Sequence, residues 1–214
     1  MRLPTFAFIL LFFTSLLAGA ARTLQAPPAG AQTPPPVAAS ESHNGLTISA
    51  VPWTKSETYK PKFPKKNPLS SGIIAIHTIF QNDTAETIRV NIEQIRLLVT
   101  LRDDSRQSLE PLSPDDVATI MLKGKMKDPS RRGPLPLRNN GKDWTDLQTR
   151  ASDAGITSSM VPPHGKLEGL LYFDLAGQFE LLDTARLYIP EVTIVEQGRP
   201  LLYFELEFAH SARQ

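Results

Sequence analysis

The chain of 214 residues contains no cysteine, only two tryptophans, and almost no surplus of charge of either sign. Without thiols there is no disulfide framework and no cysteine-based metal site. A lipid anchor on cysteine is excluded for the same chemical reason. The 23 basic and 22 acidic side chains leave a net charge of +1, which argues against a general nucleic-acid binder, because such domains are strongly basic. Apolar residues make up 41% and charged residues 21%, the balance of a soluble globular chain with one core. Collagen, a multi-span membrane protein and a disulfide-stapled miniprotein are all excluded.

Catalytic signatures are missing as well. His43, His77, His164 and His210 are scattered, with no pair at metal-binding spacing. There is no Gly-x-Ser-x-Gly elbow, and Gly124-Lys125 lacks the flanking residues of a phosphate loop. Asp103-Asp104 and Asp115-Asp116 do not follow calcium-loop spacing; turn and helix-cap roles account for both pairs. Asn82-Asp83-Thr84 matches a glycosylation sequon, which matters only in a eukaryotic secretory route. No catalytic, metal or cofactor-binding residue is therefore assigned, and no cofactor is expected. His77 lies among Ile73, Ala75 and Ile79 and is expected to be a core or interface imidazole, whereas His164 sits in a turn facing water.

What is present begins with a leader. Arg2, the apolar run Phe6 to Leu17, and Ala18-Gly19-Ala20 form the pattern of a secretory signal over residues 1–20. The run is shorter than the ~20 residues needed to span a bilayer. The expected product is exported, periplasmic or extracellular, with no stable membrane insertion after cleavage. Residues 21–45 carry Pro27, Pro28, Pro34, Pro35 and Pro36 among small and polar residues, and read as a disordered Pro/Ala-rich linker. The mature charges are uneven: residues 21–150 are net basic and residues 151–214 net acidic.

From Leu46 onward the dominant period is two. Leu46 to Val51 reads as a strand, and Lys55 to Pro68 as a lysine-rich loop. Ile73 to Phe80 is apolar almost throughout, as a central strand covered on both faces should be. Ile88, Val90 and Ile92 set one parity, but Ile95, Leu97, Val99 and Leu101 set the opposite one. A bulge or turn must therefore sit at Glu93-Gln94. Ser113-Pro114-Asp115-Asp116 is a helix start, and Asp143 to Asp153 allows a second helix with Trp144, Leu147 and Ala151 on one side. After Pro162-Pro163-His164-Gly165, Leu167, Gly169, Leu171, Phe173 and Leu175 share one face, with Lys166, Glu168, Tyr172 and Asp174 on the other. Val192 to Glu196 and Leu201 to Phe208 suggest a hairpin about Gln197-Gly198-Arg199, with Leu202, Phe204, Leu206 and Phe208 inward. The fold class expected is all-β: an immunoglobulin-like β-sandwich over residues 46–208 with a partly helical insertion at 113–156, and a tail at 209–214. A β-barrel is the alternative.

The order Phe80-Gln81-Asn82-Asp83-Thr84, then Ile88 to Leu101, then Pro163 to Asp174 resembles the telokin-like, immunoglobulin-fold extracytoplasmic domains of bacterial secreted proteins. In that family a strand ends in an Asn-containing turn, and a later Pro-Gly turn opens a strand with Gly before an aromatic. The resemblance covers about half of the mature chain and implies a fold and a cell-envelope setting, but no activity. Ser113 to Gly155 departs from it as a large insertion.

That insertion concentrates Lys123, Lys125, Lys127, Arg131, Arg132 and Arg138, with Trp144 nearby. Clustered cations attract anionic partners, and Arg and Trp are enriched at binding hot spots. These seven residues are the possible partner-binding set; the plain alternative is a solvated loop anchored by Trp144. The function expected is a non-catalytic binding or assembly module of the cell envelope, with an envelope protein or an anionic polymer as partner. The alternative is a carbohydrate-active or other hydrolase whose site is assembled only in three dimensions.

Overall fold

Alternation of apolar and polar side chains gives this chain short strands, and their pairing is antiparallel throughout the three sheets. The computed structural model describes residues 38–123 and 140–208, all within one unit, residues 34–214. In chain order the first strands are β1 (Ala39–His43), β2 (Leu46–Pro52), β3 (Ile73–Asn82), β4 (Ile88–Val90), β5 (Arg96–Thr100) and β6 (Arg106–Leu109). They are followed by β7 (Met160–Val161), β8 (Lys166–Asp174), β9 (Arg186–Ile189), β10 (Val192–Ile194), β11 (Arg199–Pro200) and β12 (Phe204–Glu207). Helices are few: α1 (Ser56–Tyr59), α2 (Pro114–Lys123) and α3 (Asn140–Ala154), with a few short 3-10 turns. The protein is thus mostly β. Sheet A has the order β1-β2-β3-β8, sheet B β11-β10-β4-β7, and sheet C β12-β9-β5-β6.

One apolar core is shared by all three sheets. Ile48, Ile76, Phe80 and Phe173 come from sheet A, Val90 and Ile194 from sheet B, and Leu97, Leu187 and Phe204 from sheet C. Residues before Ser113 and after Thr157 contribute to it alike. The parity change expected at Glu93-Gln94 is a 3-10 turn, Ile92–Gln94, which lets β4 join sheet B and β5 sheet C.

A second core lies on the other face of sheet A. There Ile73 and Ala75 of β3 and Leu170 and Tyr172 of β8 meet Val117 and Met121 of α2 and Leu147 and Ala151 of α3. This explains the continuous apolar run of β3: alternate residues fill different cores. Helix α2 starts as its sequence predicts. Ser113 Oγ accepts from the Asp116 amide at 3.2 Å and donates to the Asp116 carboxylate at 2.6 Å, with Pro114 opening the helix.

Four expectations need correction. The linker does not extend to Gly45, because Ala39–His43 pairs with β2 along its whole length. The hairpin turn is Asn44-Gly45, both at positive φ (49° and 80°), the geometry Asn-Gly favours. The segment Ser113–Gly155, expected as an excursion from a sandwich, is in its described parts the cover of sheet A, and Tyr172 is buried beneath it rather than outward. The loop Lys55–Pro68 contains α1 and sends Tyr59 and Phe63 into the second core. Finally, residues 192–208 do not form one hairpin. β10 pairs with β11 in sheet B, whereas β12 pairs with β9 in sheet C.

Candidate functional site

Sheet C turns Leu187, Ile189, Phe204 and Leu206 into the core, so the alternate residues face outward. Register places them in cross-strand rows. Glu205 lies opposite Tyr188, and Tyr188 opposite Arg96. In the next row Glu207 lies opposite Arg186, Arg186 opposite Leu98, and Leu98 opposite Ser108. Thr100 and Arg106 complete the face. The two carboxylates of β12 converge on one guanidinium: Arg186 Nη1 donates to Glu205 at 3.0 Å and Nη2 lies 3.1 Å from Glu207. The hydrogen bond to Glu205, then the charges of Glu207 and Glu205, raise the pKa of Arg186 further above its ordinary value. Arg96 pairs with Glu110 at 3.2 Å. A cleft of about 350 Å³ opens over this face, lined by Arg106, Asp183, Thr184, Arg186, Glu205 and Glu207.

Beside the cleft is an exposed apolar edge. The rings of Tyr188 and Tyr203 are 5.6 Å apart and tilted by 48°. Tyr203 is 53% exposed and Leu202 64%. Strict alternation put Leu202 inward, but the strand begins only at Phe204. Leu201 is the residue that enters the core, and Leu202 and Tyr203 lie where the chain crosses from sheet B to sheet C.

A second concavity, about 610 Å³, runs beside β8 between the start of α2 and the end of α3. Strand β8 is an edge of sheet A, and two segments cap it there: the Leu112 amide donates to the Tyr172 carbonyl at 2.8 Å, and Gly155 bridges Leu170. The floor is apolar, with Leu112, Ile156 and Leu170, and Glu93, Glu110 and Ser152 stand at its rim. Much of this concavity follows from covering an edge strand.

Other chemistry-bearing groups serve the fold. Among the described residues no group of three or more His, Asp or Glu side chains is placed to hold a metal ion. His77 is half-buried with its ring 6.0 Å from that of Trp53, His164 is exposed at φ 48°, and His43 lies 2.6 Å from the Glu41 carboxylate. The Tyr59 hydroxyl donates to the Trp53 carbonyl and accepts from the Ala75 amide, both at 2.9 Å. Burial pushes the phenols of Tyr59 and Tyr172 well above the usual range.

Of the residues singled out from sequence, Lys125, Lys127, Arg131, Arg132 and Arg138 lie outside the described residues, and Lys123 is the last residue of α2. Trp144 is half-buried on α3, packs against the second core, and donates from Nε1 to Thr119 Oγ1 at 3.2 Å. It pins α3 to α2. Tyr203, Glu205, Glu207, Arg186 and Tyr188 are off the apolar parity of their segments, a pattern that is present in the sequence. Local pattern does not join them, because two strands of another sheet separate β9 from β12 along the chain.

No family model matches the sequence, and no curated protein matches it. Among solved structures, a functionally unknown protein from Listeria monocytogenes EGD-e is similar with a TM-score of 0.33 and 14% identity, over 71% of this chain and 68% of that one. A Bordetella pertussis protein provisionally named ApaA is similar with a TM-score of 0.34 and 14% identity, over 84% of this chain and 100% of that one. Likenesses of this size carry neither fold family nor function to this chain.

Proposed function

We propose that this chain is an exported, non-catalytic binding or assembly module of the cell envelope, built on an immunoglobulin-like β-sandwich. The outer face of sheet C is its contact surface. The observation that carries this reading is the ring pair of half-buried Tyr188 and exposed Tyr203 with exposed Leu202, set beside an open cleft in which Arg186 engages the Glu205 and Glu207 carboxylates. Such groups hold and orient a partner; none is a nucleophile with a base beside it.

The sandwich assignment draws support from the single core that residues of sheet A share with residues of sheets B and C. The telokin-like resemblance gains support from the way its two turns interlock. The Asn82 side chain donates to the Pro162 carbonyl at 3.0 Å, and the Asn82 amide to the Gly165 carbonyl at 2.9 Å. Export rests on Arg2, the run Phe6 to Leu17 and the small residues Ala18-Gly19-Ala20.

The test is expression of the full chain with a C-terminal tag in a bacterial host, followed by fractionation and mass analysis of the N-terminus. A chain beginning at Ala21 in the periplasm or medium is expected. An intact Met1 in the cytosol or membrane removes the export reading. Turnover of any ester or glycoside by the purified protein removes the non-catalytic one.

A further inference from the structure

We infer that the outer face of sheet C binds a neutral saccharide; the inference rests on reading the protein as a binding module and names its ligand class. A sugar ring offers aliphatic C–H groups on its faces and hydroxyls around its rim. It therefore needs an aromatic surface flanked by paired acceptors and donors, and this face supplies both. Tyr188 and Tyr203 form the aromatic surface. Glu205 and Arg96 stand in the same cross-strand row as Tyr188, on either side of it, and Arg186 and Glu207 occupy the adjacent row. Neighbouring strands are ~4.8 Å apart and successive outward residues ~7 Å, so two rows over three strands cover the area of a short oligosaccharide.

Charge selects the neutral ligand over an anionic one. Arg186 is held between Glu205 and Glu207 at 3.0 and 3.1 Å, and Arg96 is paired with Glu110. An anion entering the cleft would meet Asp183, Glu205 and Glu207 together with guanidinium groups already engaged, leaving Arg106 as its main attraction. A hydroxylated ligand instead extends the existing pairs: carboxylates accept from hydroxyls while their second oxygens keep Arg186. The aromatic pair is amphipathic in the way a sugar requires, with ring faces for C–H groups and phenol oxygens for hydroxyls.

The test is native gel electrophoresis of the full exported chain in gels containing mixed-linkage β-glucan, galactomannan, dextran or, as the anionic comparison, alginate, with co-sedimentation on chitin and cellulose. At least one neutral glycan retains the protein, and retention persists at high salt because no ion pairing with the ligand is involved. Tyr188→Ala and Tyr203→Ala each weaken retention about tenfold, the loss expected from removing one aromatic contact. Met160→Ala, which removes an exposed apolar side chain on sheet B instead, leaves retention unchanged. Circular dichroism melts confirm that the tyrosine variants are folded. Absence of retention by every neutral glycan overturns the inference, as does retention by alginate alone or retention that survives the double tyrosine substitution. In those cases an exported, non-hydrolysing protein still leaves the module reading standing. Release of reducing ends from a retained glycan does the reverse: it keeps the saccharide face and removes the non-catalytic reading.

Discussion

Asn82 is fully buried, yet every polar atom of its side chain is used. Nδ2 donates to the Glu86 and Pro162 carbonyls at 2.7 and 3.0 Å, and Oδ1 accepts from the Thr84 amide and hydroxyl at 3.0 and 2.7 Å. It ties the end of β3 to the following turn and to the segment after β7. Removing it leaves several part-buried groups without their partner at once, so Asn82→Ala should cost about 2–4 kcal/mol, read as a fall in the urea midpoint without a change in slope. The same burial closes the sequon of the folded chain to a glycosyltransferase. Tyr59 and Tyr172 carry a pH prediction. Their folded-state pKa values lie above the ordinary phenol value because burial disfavours the phenolate. Their contribution is therefore complete below the unfolded pKa and is lost as pH rises past it. Stability should decline above about pH 10, and Tyr172→Phe should flatten that decline in denaturation midpoints measured across it. The lowered carboxylates Asp103 and Glu196 are exposed and shape the acid limb little.

At the scale of elements, the helices α2 and α3 act as a wall. They cover Ile73, Ala75, Leu170 and Tyr172, which without them would form an apolar patch on sheet A. Replacing residues 113–155 by a short Gly-Ser linker should therefore give an aggregating protein that binds a hydrophobic dye, rather than a trimmed sandwich. A soluble, cooperatively melting product would show that the wall is dispensable. Strand β1 works similarly at the opposite edge. Its Glu41 carboxylate accepts the Glu205 amide of β12 at 2.5 Å, and His43 packs 4.9 Å from Phe204. The first strand thus also closes the border of the sheet that carries the candidate site.

For the molecule as a whole, the shared core means that neither half is self-sufficient. Sheet A takes β1, β2 and β3 from before the helical segment and β8 from after it. Sheets B and C mix early and late strands in the same way. Expressed separately, residues 38–112 and 157–208 should each give unfolded or aggregated chains, checked by the absence of a cooperative melt. Independent melting of either piece would mean that the two contributions to the core are separable.

Much of this organisation was legible from local signals. The central position of β3, the switch at Glu93-Gln94, the Ser113 cap and the apolar stripe of α3 all depend on periodicity or turn chemistry within a few residues. Asn44-Gly45 was legible too, but the prolines upstream drew the segment into the linker. Alternation divides a strand into two faces without saying what covers each. That is why Tyr172, on the charged parity of β8, is buried by α3 lying over it, a contact that alternation does not encode. Nor does it say where a strand begins, which is why Leu202 is outside the core and Leu201 within it. The candidate site is the clearest case. Arg186 and Tyr188 meet Glu205, Glu207 and Tyr203 only because β9 and β12 pair across the intervening hairpin of sheet B, and that pairing is set by packing Leu187, Ile189, Phe204 and Leu206 into a common core. The sequence by itself determined which residues could face outward; tertiary packing decided which of them face outward together.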